Sequence, residues 1–182
     1  MDNKRMIDRR TLVAAGALAA SGLSMAASAG GGLRDFSFQN GQWTVRHRKL
    51  RKRLAGNNEW VSFSGTCTAG PLMAGKAGYE DNFLNDPTGA YRAEGLRRFD
   101  PRTGLWSIWW WDERYPDNGP PVIGRFADGV GIFLGDDELN GRPIKVRYTW
   151  DLARPGVPRW EQAFSADGGA SWETNWHMEF LR

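Results

Sequence analysis

The 182-residue chain has a single cysteine, Cys67, and only two histidines, His47 and His177. One thiol cannot form an intramolecular disulfide or a cysteine-based metal site, and two imidazoles cannot build a multi-histidine zinc centre. No metal or cofactor is therefore expected. The nucleophile-elbow pattern Gly-x-Ser-x-Gly and a phosphate-cradling glycine loop are both missing, which removes the commonest signatures of hydrolases and nucleotide enzymes. Helix-period stretches are nearly absent beyond Gly41, so a helical bundle is excluded. The longest apolar run, Leu12 to Leu23, is too short and too rich in Ala and Gly for a transmembrane helix.

That run belongs to a leader. Arg9 and Arg10 precede it, and Ala27-Ser28-Ala29 follows it as a small-x-small cleavage site. A charged start, a short apolar stretch and such a site form a secretory signal, and paired arginines point to the twin-arginine route. The expected organisation is a signal peptide over 1–29 and one domain over 30–182. The expected location is periplasmic or extracellular, with the twin-arginine export machinery as a partner and no stable membrane insertion after cleavage. Lys4, Arg5, Arg9 and Arg10 against Asp2 and Asp8 give the leader a net charge of +2, so the whole-chain +3 falls to +1 without it. A nearly neutral mature surface gives no reason to expect a nucleic-acid partner.

What is abundant is turn chemistry and tryptophan. Asp86-Pro87-Thr88-Gly89, Asp100-Pro101-Arg102-Thr103-Gly104, Asp128-Gly129, Asn140-Gly141 and Asp167-Gly168-Gly169 separate short apolar or alternating runs. Such dipeptides supply positive φ for tight hairpins. They predict strands near 42–53, 59–69, 78–85, 91–99, 105–112, 122–126, 130–135, 142–151, 159–165 and 171–181. Eight to ten antiparallel strands in one domain make an all-β, up-and-down barrel, with a β-sandwich as the alternative. Cys67 is expected as a small core residue.

Alternation assigns faces. Ile144, Val146, Tyr148 and Trp150 share one side of their strand. A turn at Asp167 to Gly169 pairs Phe164 with Trp172, Gln162 with Thr174 and Trp160 with Trp176, which puts these six inside and Glu161, Glu173 and His177 outside. His47 shares the face of Trp43 and Val45, and Arg97 shares that of Tyr91, Ala93, Gly95 and Phe99. A buried arginine needs an anionic partner, from another strand or from a ligand. The basic run Arg46-His47-Arg48-Lys49-Leu50-Arg51-Lys52-Arg53 is expected at a solvated face or edge, and Gly135 to Gly141 as a solvated hairpin loop. Ser165-Ala166-Asp167-Gly168-Gly169-Ala170-Ser171-Trp172 matches the Asp-box pattern of sialidases, but those propellers carry several copies; here one copy predicts a pinned hairpin.

Gly41-Gln42-Trp43, opening the first long strand, resembles the barrel-closing motif of the lipocalin and wider calycin group. That resemblance implies a Trp at the barrel base under a basic side chain, for which Arg182 is the candidate. The chain, with Trp160-Glu161-Gln162-Ala163-Phe164 and Trp172-Glu173-Thr174-Asn175-Trp176, is also similar to a family of Trp-rich bacterial proteins with calycin-like barrels, which brings no established activity. Ten tryptophans exceed plain core filling. The resulting expectation is an exported barrel that binds a small apolar or aromatic molecule. Its lining is Trp109, Trp111, Tyr148, Trp160 and Trp176, with His47, Arg97, Gln162 and Thr174 orienting the ligand. One alternative is an enzyme of isomerase or cyclase type in which His47 or Tyr148 moves a proton and Arg97 steadies negative charge. Another is an interaction module with a Trp-rich surface.

Overall fold

The computed structural model describes residues 32–116 and 119–182; the expected leader over 1–29 and its expected cleavage site lie outside them. Ten strands run in order: β1 Gly41–Leu50, β2 Trp60–Leu72, β3 Ala77–Leu84, β4 Tyr91–Asp100, β5 Leu105–Asp112, β6 Val122–Ala127, β7 Val130–Leu139, β8 Arg142–Asp151, β9 Arg159–Ser165 and β10 Glu173–Leu181. Each pairs antiparallel with the next, and β10 returns to β1, so the sheet closes into an up-and-down barrel. Closure excludes the sandwich and leaves no strand of the sheet without a neighbour on each side.

The predicted turns set these boundaries. Asp128 and Gly129 sit at φ 49° and 81°, and Asn140 and Gly141 at φ 53° and 78°, the double positive φ of a type I′ hairpin. The Asp-box pins the β9–β10 hairpin as expected. Asp167 Oδ1 accepts from Ser165 Oγ at 2.7 Å and from Ser171 N–H at 2.9 Å, and Trp172 Nε1–H donates to Gly169 O at 3.0 Å.

Each end of the barrel is treated differently. Five hairpin loops gather at one end, which stays open. At the other, residues 32–40 cross the base, and Phe36 packs edge-on against Trp106 and Phe126 at 5.0 and 5.1 Å. Trp106 Nε1–H donates to Asp35 Oδ2 at 3.0 Å, and Trp43 Nε1–H to Gln39 O at 2.7 Å, which tie this segment down. Arg182 lies 4.4 Å above the Trp43 ring and donates to Asn40 O at 3.1 Å, the Trp-under-cation arrangement that the calycin resemblance implies. The closed ten-strand barrel and its aromatic interior are consistent with a calycin-like fold.

The seam between β5 and β6 is short. Only Trp106, Ile108 and the Ser107 between them have partners on β6, so β5 leaves its neighbour where the tryptophan triplet begins.

Candidate functional site

Between the hairpin loops and the middle of the barrel lies a cavity of about 830 Å³, within the range of small-molecule sites. Its floor and walls include Phe63, Ile108, Trp110, Val146, Tyr148, Gln162 and Trp176. Trp110 and Trp160 both meet Trp176 edge-on, at 5.8 and 5.5 Å, and Tyr148 meets Trp160 at 4.9 Å. This rigid aromatic layer separates the cavity from the closed end. Below it only about 10 Å³ is empty, beside Arg97, Glu80 and Trp160, room for about one water.

The structure brings Tyr148, Gln162 and Trp176 to the cavity wall and sets Trp160 just beneath it. Gln162 is oriented by Asn175, whose Oδ1 accepts from its Nε2 at 2.8 Å. Burial raises the Tyr148 phenol above its ordinary pKa, so it stays protonated.

Trp109 and Trp111 do not line the cavity. Trp106 and Ile108 are buried inside, so strand alternation turns Trp110 inward and its two neighbours outward. Opposite them on β4 stand Leu96 and Glu94. Thr174 is also outside, because the β9–β10 register shifts between Thr174 and Trp176. Asn175 is the extra residue; Thr174 faces Ala163 and Trp176 faces Gln162, in place of the expected Gln162–Thr174 and Trp160–Trp176 pairs. The same shift turns Glu173 to the side of Phe164, where its carboxylate accepts from Leu54 N–H at 2.6 Å. Trp172 instead lies under Arg147, whose guanidinium is 4.5 Å from its ring. His177 and Glu161 stay outside as expected, 3.1 Å apart and partly exposed.

His47 faces inward but stops short of the cavity. It stacks on Phe63 at 4.7 Å, and Trp176 Nε1–H donates to its Nδ1 at 3.2 Å, which leaves the proton on Nε2. Burial, with the nearby Lys49 charge, pushes its pKa down to about 3. A neutral, packed imidazole this weak a base is a poor proton acceptor at neutral pH.

Arg97 belongs to the closed end. Its Nη1 donates to Gln39 Oε1, its Nη2 to Tyr79 O at 3.2 Å, and its guanidinium lies 4.2 Å from the Phe36 ring. Gln39 passes the contact on, donating from Nε2 to Glu80 Oε2 at 2.5 Å. Glu80, on the neighbouring strand, thus supplies the anion that Arg97 feels, reached through Gln39 and not by a direct ion pair, while Arg97 Nε has no partner among the described residues. Gly95 stands opposite Glu80, and a side chain there would collide with its carboxylate; the room beside Arg97 is filled by this network. Desolvation there also raises the Cys67 thiol well above its ordinary pKa, and the residue is buried as expected.

The residues that alternation should have revealed are Lys49 and Trp110. Trp43, Val45, His47 and Lys49 fall on one face of β1, and all are buried. Lys49 Nζ lies 3.2 Å from Tyr91 Oη, 4.1 Å above the Trp176 ring and 3.9 Å from Asp86 Oδ2. Burial, aided by Arg53, pushes its pKa down to about 7. Burial pushes the Asp86 carboxyl up, but Thr88 N–H and Oγ–H, donating at 2.9 and 2.7 Å, and Lys49 outweigh it and hold the group below its ordinary value. The basic run is therefore not wholly at the surface: Lys49 and Arg53 line the cavity while Arg46 and Arg48 are exposed.

No protein-family model matches the chain, and a search of curated proteins finds no match to it. The likeness to calycins thus rests on the barrel and its base.

Proposed function

We propose that this protein is an exported, calycin-type binding barrel that holds a small molecule in the open-end cavity. The observation that carries the reading is the preformed cavity of about 830 Å³ above a braced layer of Trp110, Trp160 and Trp176. A core built only for stability fills such space, because empty volume forfeits packing. The ligand's body is aromatic or apolar, as expected from the tryptophans, but its polar contacts differ from expectation: Gln162, Tyr148 and the cations of the rim replace Arg97, Thr174 and His47. Of the two candidate proton carriers, His47 is packed away as a weak base, while Tyr148 stands on the cavity wall with its phenol held protonated. In this reading the twin-arginine leader takes the folded barrel out of the cytoplasm, where it acts as a carrier or sensor.

The test is a fluorescence titration with the neutral dye N-phenyl-1-naphthylamine. The wild type binds it with a dissociation constant in the micromolar range, and Val61→Trp, which fills the cavity from β2, abolishes the signal while near-UV circular dichroism stays folded. Absence of binding by the wild type, or unchanged binding by the filled variant, defeats the reading.

A second reading has one observation in its favour. Ile123, Ile132 and Leu134 are 46%, 49% and 50% exposed on the outer face of β6 and β7, beside the outward Trp109. Such a stripe suits a protein contact. Concentration-dependent self-association in sedimentation, abolished by Ile132→Lys, supports it; a monomer at all concentrations removes self-association.

A further inference from the structure

Three of the five cations that line the cavity lie near one another: Lys49 at the end of β1, Arg53 in the β1–β2 loop and Arg114 just beyond β5. Two have partners. Arg114 Nε and Nη2 donate to the two oxygens of Asp112 at 2.8 and 2.6 Å. Lys49 faces Asp86 at 3.9 Å, too long for a direct hydrogen bond, and one Asp86 oxygen is already held by Thr88. Arg53 is different. It is half-buried, its guanidinium lies 5.6 Å from the Phe164 ring, and among the described residues no carboxylate reaches it within ion-pair distance. Its charge is felt by Lys49, and it is itself held below its ordinary pKa by burial.

The cavity lining is balanced in number, with Lys49, Arg51, Lys52, Arg53 and Arg114 against Asp86, Asp112, Asp136, Asp137 and Glu138, but Arg53 is the half-buried charge left without an ion-pair partner among the described residues. The other charges of the lining are paired elsewhere or exposed. Arg51 pairs with Glu59 at 2.9 Å, Asp136 with Lys145, and Lys52 is exposed. Asp137 and Glu138 are exposed on the β7 rim; the Asp137 charge helps to raise the Tyr148 phenol, but neither carboxylate makes an ion pair with Arg53. An uncompensated cation withdrawn from water is costly unless an anion meets it. The groups next to Arg53 and Lys49 are aromatic, Trp176, Tyr148 and Phe164, so the anion that fits has an organic body.

We infer that the cavity takes an organic anion, with its aromatic or apolar body on Trp110, Trp176 and Phe63 and its carboxylate, sulfonate or phosphate against Arg53 and Lys49. This rests on the binding reading above. Lys49 over Trp176 places the charged group beside the aromatic layer, so one ligand of modest length reaches both.

Three dyes of similar size separate the possibilities: anionic 8-anilinonaphthalene-1-sulfonate, neutral N-phenyl-1-naphthylamine and cationic auramine O. The anion should bind at least about ten-fold tighter than the neutral dye, the discrimination expected of charge-assisted bonds in a partly dry site. Arg53→Gln should bring the anion-to-neutral affinity ratio close to one, and Lys49→Met should lower it several-fold. Arg125→Gln, which removes an exposed β6 cation outside the cavity lining, should preserve it. Near-UV circular dichroism keeps unfolded variants out of the comparison. Neutral dye binding with no preference for the anion, a preference for the cation, or a ratio insensitive to Arg53→Gln overturns the inference and leaves the binding reading standing. Binding of none of the three dyes overturns both.

Discussion

The two ends of this barrel solve the same problem in opposite ways. At the closed end a buried cation, Arg97, is met by Gln39 and Glu80, and Phe36 fills the space beside it. At the open end Lys49 has a carboxylate only at 3.9 Å, Arg53 has none within ion-pair distance among the described residues, and no described segment fills the cavity. Both ends are lined by inward residues of the same ten strands, so alternation alone does not distinguish them. The difference comes from residues 32–40, which supply plug and hydrogen bonds to one end only. Among the described residues, the closed end meets most of its charge from within, with Arg97 Nε left unpartnered, and the open end leaves Arg53 without an ion pair.

The largest expected effect lies at the closed end. Arg97→Met leaves Glu80 buried without its cation and should cost about 3–5 kcal/mol in urea unfolding. The double variant with Glu80→Met should recover much of that loss, because the network is an internal balance and needs no ligand. Dye binding at the open end should survive in the double variant. If Arg97→Met costs nothing, the closed end is not the self-sufficient partner this comparison requires.

Next is acid sensitivity. With the folded pKa of His47 lowered to about 3 from an ordinary 6.5, the unfolded chain takes up a proton between those values while the folded chain does not. Stability should therefore fall as pH drops from about 6.5 towards 3, at up to roughly 1.4 kcal/mol per pH unit. His47→Gln, which keeps an acceptor for Trp176, should flatten that slope. An unchanged slope would mean that His47 is not the buried neutral group described.

The open end should respond to pH in the other direction. Lys49, which feels the charges of Arg53, Asp86, Arg114 and Asp112, is lowered to about 7, so it loses its charge as pH rises through that value. Affinity for the anionic dye should weaken severalfold from pH 6 to pH 9, and affinity for the neutral dye should change less. In Lys49→Met that pH dependence should vanish. The smallest effect is expected at the base: Arg182→Ala removes one cation above Trp43 and should cost about 1 kcal/mol, measured by the same unfolding curve.

The fold was largely legible because its turns are explicit. Asp128-Gly129 and Asn140-Gly141 can hardly be anything but tight hairpins, and β5, β8 and β9 begin and end where the alternating runs do. The site was less so, for three physical reasons. A run of tryptophans has no parity of its own, and only the buried Trp106 and Ile108 show that Trp110 is the inward member. A bulge leaves no mark in composition, so Asn175 displaced Thr174 and Trp172 from the lumen unannounced. Lys49 was visible in the β1 alternation, yet its charge argued for solvent, and the aromatic and phenolic partners that make its burial tolerable come from β4 and β10. Residues 32–40 have no periodicity that would announce a plug.

The central claim is that the open end receives the ligand and the closed end does not. The ten indole N–H groups report on both ends in one experiment: a proton–nitrogen correlation spectrum of the protein titrated with N-phenyl-1-naphthylamine. The account predicts saturable shifts of the Trp110 and Trp176 signals, with Trp43, Trp106 and Trp150 unmoved. Shifts confined to Trp43, Trp106 and Trp150, or none at saturating dye, would contradict it.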